Sequence, residues 1–170
     1  MTATNAGSAS SGLRVREGEQ MPSVGLRASD GYLMNLRSYV GRQPSMFLFF
    51  AGPSLSAGDR ASGDAIALAF KEACPRLGAA GVAVAGVTTD SERQQAAYIA
   101  ELELPYPLFC DERRSAVELL GVPTTSVNGN VNAEPIAFAV GADGTILDIV
   151  ERIEPRGLVA RLLEAIHPPD

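Results

Sequence analysis

Residues 45–50 read Ser-Met-Phe-Leu-Phe-Phe (SMFLFF), and residues 82–88 read Val-Ala-Val-Ala-Gly-Val-Thr (VAVAGVT). Neither run alternates apolar with polar residues. A strand with one face in water would alternate. A continuous apolar run of this length marks a strand covered on both faces. Between the two, residues 62–77 place Ile66, Ala69, Phe70 and Ala73 at helical spacing. Strand, helix and strand make a β-α-β unit, whose two strands lie parallel in one sheet.

The flanking sequence extends that sheet. Upstream, Val24 to Ala28 and Tyr32 to Asn35 flank Ser29-Asp30-Gly31, and Asp-Gly supplies the positive φ of a tight hairpin turn. Leu36 to Val40 predicts one helical turn, and Ala51 to Arg60 a Gly/Pro/Ser loop. Downstream, Ser91 with Gln94 predicts a capping box opening a helix to about Glu101. Pro107 to Cys110 predicts a short strand, Asp111 a cap for a helix running to Leu120, and Gly121 to Asn132 a loop. Ile136 to Val140 and Ile146 to Val150 flank Gly141-Ala142-Asp143-Gly144, a second hairpin signal. Pro155 to Ile166 predicts a closing amphipathic helix with Leu158, Leu162, Leu163 and Ile166 on one face. The fold class is therefore α/β, a central mixed sheet with helices on both faces and an N-terminal hairpin.

Composition bounds the function. The chain has 170 residues, a net charge of −6 and 46% apolar residues, enough for one domain with its own core. An acidic balance argues against a nucleic-acid partner, which needs a basic face. No apolar run approaches the roughly 20 residues that span a bilayer, and Met1 to Gly12 lacks the apolar stretch of a signal peptide. These features place the protein in the cytoplasm, without a membrane partner. Residues 1–12 (MTATNAGSASSG) are too small and polar to offset their ordering entropy and read as a disordered tail, leaving 13–170 as the domain. One histidine, His167 near the C-terminus, and two cysteines, Cys74 and Cys110, cannot make a closed four-ligand zinc site or an ordinary His-based triad. No residue pattern calls for a metal or another cofactor.

Six local motifs then resemble those of the peroxiredoxin-like (AhpC/TSA, redoxin) branch of the thioredoxin fold, over about Glu17 to His167. Gly18-Glu19-Gln20-Met21-Pro22 resembles the family's G-x-x-x-P entry to the first hairpin, and Leu36 to Gly41 its L-x-x-y-x-G. Phe47 to Phe50 followed by Pro53 resembles the buried strand that leads to its active-site loop. Val87 to Ser91, Leu104 to Leu108, and Phe138 with Asp143-Gly144 are similar to three further family segments in the same order. The resemblance implies a thioredoxin-like fold, an ancestry in thiol peroxide chemistry, and a homodimer as the arrangement common among relatives.

The departures from that pattern carry the functional reading. The family's P-x-x-x-T-x-x-C places a cysteine in the first turn of the helix after Pro53, where helix dipole and a nearby arginine favour thiolate. Counting from Pro53, the threonine position holds Ala57 and the cysteine position Arg60; Asp59, Gly63 and Asp64 are its neighbours. The family's later arginine corresponds to Pro135, whose setting resembles the cis-proline of thioredoxin-like reductases and predicts a cis Glu134–Pro135 bond. Cys74 falls near the far end of its helix and Cys110 at the end of a short strand, so no disulfide is expected between them.

The candidate catalytic residues are Asp59, Arg60, Ser56 and Cys110, and the candidate substrate-binding residues are Pro53, Ser54, Thr125 and Pro135. Arg60 reads either as an anion clamp or as a surface arginine paired with Asp59 or Asp64. Ser54 and Ser56 serve a pocket or a turn. Thr124 to Asn132 form a polar loop, and Arg113-Arg114 a solvated helix face. Three functions compete: a non-thiol enzyme acting on a small organic molecule in a bacterial biosynthetic pathway, a catalytically silent redoxin acting as a partner or regulatory dimer, and a weak thiol peroxidase or reductase using Cys110. A pocket lined by Pro53–Arg60, the 124–132 segment and Pro135 is the feature expected of the first.

Overall fold

The computed structural model describes residues 12–37 and 43–169. Strand β3 (Ser45–Phe49) is buried along its whole length, as its unbroken apolar run requires. Its side chains divide by parity. Met46 and Leu48, with Phe50 just beyond the strand, face one core; Phe47 and Phe49 face the other. Helix α1 (Ala61–Ala79) closes the first core with Ile66, Phe70, Ala73 and Leu77. Strand β4 (Ala83–Thr88) then pairs parallel with β3, from Ser45↔Ala83 to Phe49↔Val87, completing the β-α-β unit.

The remaining elements are β1 (Gly25–Ala28), β2 (Leu33–Asn35), α2 (Glu92–Leu102), β5 (Leu108–Cys110), α3 (Ser115–Leu120), β6 (Thr124–Val127), β7 (Asn130–Ala133), β8 (Ile136–Val140), β9 (Ile146–Val150) and α4 (Pro155–Ile166). The main sheet has seven strands in the order β2-β1-β5-β4-β3-β8-β9. Strands β3, β4 and β5 are parallel; β1 joins β5, and β8 joins β3, antiparallel. Helices α1 and α4 pack on the first core with Tyr98 of α2, while α3, Leu36 and the entry segment Val15 and Met21 cover the second. This is the mixed α/β architecture that the sequence predicts.

Local chemistry explains the boundaries. Tyr32 N–H donates to Asp30 Oδ1 (3.2 Å) inside the first turn, and Gly31 takes φ +93° there. Ser91 Oγ accepts from Gln94 N–H while Gln94 Oε1 accepts from Ser91 N–H, the reciprocal capping box that starts α2. Asp111 accepts from Ala116 and Val117 N–H (3.1 and 2.8 Å), so it caps α3 as expected, although Arg114 is the residue at the helix boundary. At the end of α3, Gly121 takes φ +74°, and a Cβ there would meet the Gly12 carbonyl oxygen at 2.0 Å. The expected tail otherwise lies outside the described residues, as do Ser38 to Val40 of the expected helical turn.

Three expectations are corrected. Residues 121–132 are not a plain loop: β6 and β7 form a separate two-stranded hairpin around Asn128-Gly129, both at positive φ (52° and 85°). Asn-Gly between Val127 and Val131 is a strong hairpin signal, outweighed in the reading by the polar residues around it. The Glu134–Pro135 bond is trans. Glu134 N–H donates to the Pro123 carbonyl (2.8 Å) and its carboxylate accepts from Thr125 Oγ1 (2.7 Å), so the β6–β7 hairpin carries the chain directly into β8. Helix α4 is also interrupted, with Arg156 and Gly157 outside helical φ/ψ.

Candidate functional site

The parallel strands end on one edge of the sheet, where open α/β sheets commonly place their sites. The loop after β3 begins with Gly52-Pro53-Ser54 and is built by its own hydrogen bonds. Ser56 Oγ donates to Asp59 Oδ2 (3.1 Å), and the Ser56 carbonyl accepts from both Asp59 and Arg60 N–H (3.0 Å each). Ser56 and Asp59 are exposed and serve this turn. Gly63 then lets α1 start close to the strand end, since a Cβ would lie 2.0 Å from the Ala51 carbonyl oxygen.

Arg60 stands at the start of α1 and is fully engaged. Its Nε donates to Asp64 Oδ2 (2.9 Å), its Nη2 donates to Glu101, and its guanidinium carbon lies 5.2 Å from the centre of the Tyr98 ring. Tyr98 OH donates to the other Asp64 oxygen. The hydrogen bonds to Glu101 and Asp64 hold the Arg60 guanidinium even more firmly protonated than usual. Burial, reinforced by the Asp64 carboxylate, pushes the Tyr98 phenol above its ordinary range. One sequence alternative is thereby realised, a pairing of Arg60 with Asp64. The partners on α2, Tyr98 and Glu101, were not singled out in the sequence. Their i, i+3 spacing puts them on one helix face, but which helix they face is a tertiary fact.

The thiols are separated by the fold. Cys74 packs against the first core, fourteen positions after Arg60 along α1, and burial raises its pKa. Cys110 ends β5 opposite Thr88, and its Sγ donates to the Asp90 carbonyl (3.2 Å). Burial pushes the Cys110 thiol up as well, against a lowering contact from the Glu112 backbone. Both are free thiols. Neither sits at a helix N-terminus, the setting that promotes thiolate.

Beside these groups lies a cleft of about 310 Å³, near the lower size limit of small-molecule sites. Its wall takes Ser54 from the loop after β3, Thr89 to Ser91 with Gln94 from the start of α2, and Glu112 with Arg114 from beyond β5. The tip of the β6–β7 hairpin, residues 129–132, closes it, held by a Thr89 Oγ1 to Val131 carbonyl hydrogen bond of 2.8 Å. The expected pocket is thus shifted across the sheet edge. Ser54 and the hairpin tip line it, whereas Pro53, Arg60, Pro135 and Thr125 do not. Arg114 is half-buried with φ 60° and lines this wall, while Arg113 and Glu118 are exposed, as expected of a solvated face. Sequence reading treated Thr89-Asp90-Ser91 as a structural motif and so missed it as a site.

Asp90 is the unusual member of this wall. It is 4% exposed, and its Oδ2 is buried without a hydrogen-bond donor. A second acceptor, Gln95 Oε1, is buried without a partner one helical turn further on, while the Gln95 amide nitrogen donates to Thr88 Oγ1 and the Phe109 carbonyl (2.8 and 2.9 Å). Among the described residues these two are the buried side-chain polar atoms that lack partners, and both are acceptors. The cleft thus has hydroxyls, amides, two carboxylates and one guanidinium with which to bind and orient a polar molecule. Among the described residues there is no cluster of three or more His, Cys, Asp or Glu side chains able to hold a metal. No helix of the described residues is long and apolar enough to cross a membrane.

Comparison with known proteins agrees with this architecture. The family model described as AhpC/TSA matches residues 18–149. Peroxidoxin BcpB from Mycobacterium tuberculosis superposes with a TM-score of 0.77 at 17% identity, covering 89% of this chain and 96% of that one. A mutant of PrxQ from Xylella fastidiosa gives 0.74 at 17% identity, over 89% and 94% of the two chains. AhpC from Enterococcus faecalis gives 0.70 at 17% identity, over 91% and 96%. The search of curated proteins found no match.

Proposed function

Since this chain belongs to the AhpC/TSA family, we propose that it is a peroxiredoxin-like protein without the usual catalytic cysteine, which binds and transforms a small polar organic molecule. The observation that carries the reading is Arg60. At the helix start after Pro53, where the family pattern has its thiol, this chain has a guanidinium locked to Asp64 and Glu101 and covering the Tyr98 ring. A closed ion-pair cluster gives a peroxide neither a nucleophile nor a free cation. The polar cleft along the same edge supplies a binding surface instead, and its hydroxyls, carboxylates and guanidinium suit positioning or general acid–base work. The reading extends to a role in small-molecule biosynthesis in a bacterial cytoplasm.

The competing reading uses Cys110, whose sulfur lies 3.2 Å from the backbone of Asp90 in the cleft wall. Its thiol is held protonated by burial, opposite to what a peroxide-attacking thiolate needs. The test is consumption of hydrogen peroxide and of an organic hydroperoxide with a thiol reductant present. Wild type, Cys110→Ser and the Cys74→Ser/Cys110→Ser double variant are compared. All three should equal the rate without protein. Peroxide consumption that disappears with Cys110→Ser overturns the proposal in favour of thiol chemistry.

A further inference from the structure

Every other charged carboxylate buried at the sheet edge has a donor. Asp111 has two backbone N–H groups, and Asp148 receives both Nε and Nη2 of Arg161 (3.0 Å each). Asp90 is as buried as these, and its Oδ2 has none. A buried acceptor left without a donor costs stability, so such a group in a native protein calls for an explanation. Asp90 also lines the cleft, so the donor its carboxylate lacks can come from a molecule bound there. A protonated amine is the donor that also answers a carboxylate's charge. The same wall carries Arg114, half-buried and without a carboxylate partner among the described residues, which calls for an acid group. With Glu112 at the rim, the lining carries two negative charges and one positive.

We infer that the cleft between Ser54, Asp90 and Arg114 binds a free amino acid or a small amino-acid derivative, its ammonium group held by Asp90 and its carboxylate by Arg114. This rests on the reading of the cleft as a small-molecule site and names its ligand class. The volume holds roughly ten water molecules at about 30 Å³ each, room for an amino acid with a medium side chain. The excess negative charge selects a basic amino acid over an acidic one.

The probe is L-lysine, titrated into the wild-type protein by calorimetry at neutral pH, with hexanoate (no amine) and cadaverine (no carboxylate) as partners in the comparison. L-lysine should bind, and hexanoate should bind at least about tenfold more weakly, the scale of one charge-assisted hydrogen bond. Asp90→Asn should weaken L-lysine at least about tenfold, and Arg114→Met should weaken L-lysine but leave cadaverine unchanged. Amide NMR of the wild-type protein keeps the test independent of the variants: L-lysine should shift Thr89 to Gln94, Asn130 and Asn132. No heat and no shift with L-lysine, hexanoate binding as well as L-lysine, or L-lysine binding untouched by Asp90→Asn would each overturn the inference. Peroxidase activity through Cys110 alongside Asp90-dependent L-lysine binding would remove the functional reading and leave this one standing.

Discussion

A carboxylate kept buried without a partner should destabilise the ligand-free protein, and that can be measured. Asp90→Asn keeps the side-chain shape and removes the charge. An unsatisfied buried charge costs more than an unsatisfied buried amide, by about 1–3 kcal/mol, and Asp90 is 4% exposed with Oδ2 lacking a donor, so removing the charge recovers an amount in that range. One effect opposes the gain. Asp90 directly precedes Ser91, the N-cap of α2, where a negative charge is favoured by about 0.3–1 kcal/mol. Taking the middle of both ranges, the balance is a stabilisation of about 1–2 kcal/mol in the variant. For a chain of this length 1 kcal/mol moves the melting temperature by roughly 2–4 °C, so Asp90→Asn should melt about 2–8 °C higher. The assay is differential scanning calorimetry of ligand-free wild type and variant side by side. A lower melting temperature in Asp90→Asn would show that the carboxylate has a structural partner and is not held open for a ligand. A rise together with loss of L-lysine binding is the trade of stability for function expected of a binding residue.

Four further outcomes follow from named positions. Asp111→Ala, at an equally buried aspartate that does have donors, should go the other way and cost about 1–2 kcal/mol, read as a lower calorimetric melting temperature. Gly63→Ala should destabilise by about 2 kcal/mol, because a Cβ 2.0 Å from the Ala51 oxygen forces the helix start away from the loop and outweighs the gain in helix propensity. Gly78→Ala in the same helix, with open space around it, should stabilise by about 0.5–1 kcal/mol, both glycine variants being read by urea titration against wild type. At alkaline pH, Tyr98 and Tyr106 should stay protonated while the protein is folded, since burial raises both phenols. Their contribution to stability is whole below the unfolded value of about 10 and is lost as pH rises beyond it. Phenolate absorbance should therefore complete its rise only as the far-ultraviolet circular dichroism signal of the fold disappears.

Much of the fold is legible because β3 and β4 state their burial directly, and because Ser91-Gln94, Asp111 and the Asp-Gly turns act over a few residues. Local chemistry of that kind needs no knowledge of the partner. The Asn128-Gly129 turn is equally local, but the polar residues around it read equally well as a surface loop. The site was less legible. Ser54 and the 129–132 segment were anticipated, and Arg60's pairing with Asp64 is an i, i+4 relation visible in sequence. The role of Tyr98 and Glu101 depends on α2 crossing beside the start of α1. The isolation of Asp90 depends on what surrounds it in three dimensions, and no pattern of residue types records a missing donor. Pro135 shows the converse: its spacing predicts a cis bond, and the chain passes from the β6–β7 hairpin into β8 with that bond trans.

The order of strands also sets a timetable for synthesis. β1 finds its second partner in β5, with Arg27 opposite Cys110, and β3 finds β8, with Met46 opposite Ala139. More than eighty residues must leave the ribosome before either pairing can close, at a rate of about 5–20 residues per second. The first hairpin therefore waits for seconds with Leu26 uncovered and Tyr32 and Leu33 at its tip, surfaces that in the finished protein are 5%, 69% and 73% exposed. Such distant pairings slow folding and lengthen the window in which an unpaired strand edge can meet another chain. A nascent-chain complex halted before Cys110 should accordingly be the species most dependent on chaperones, and one halted after α4 the first able to shed them.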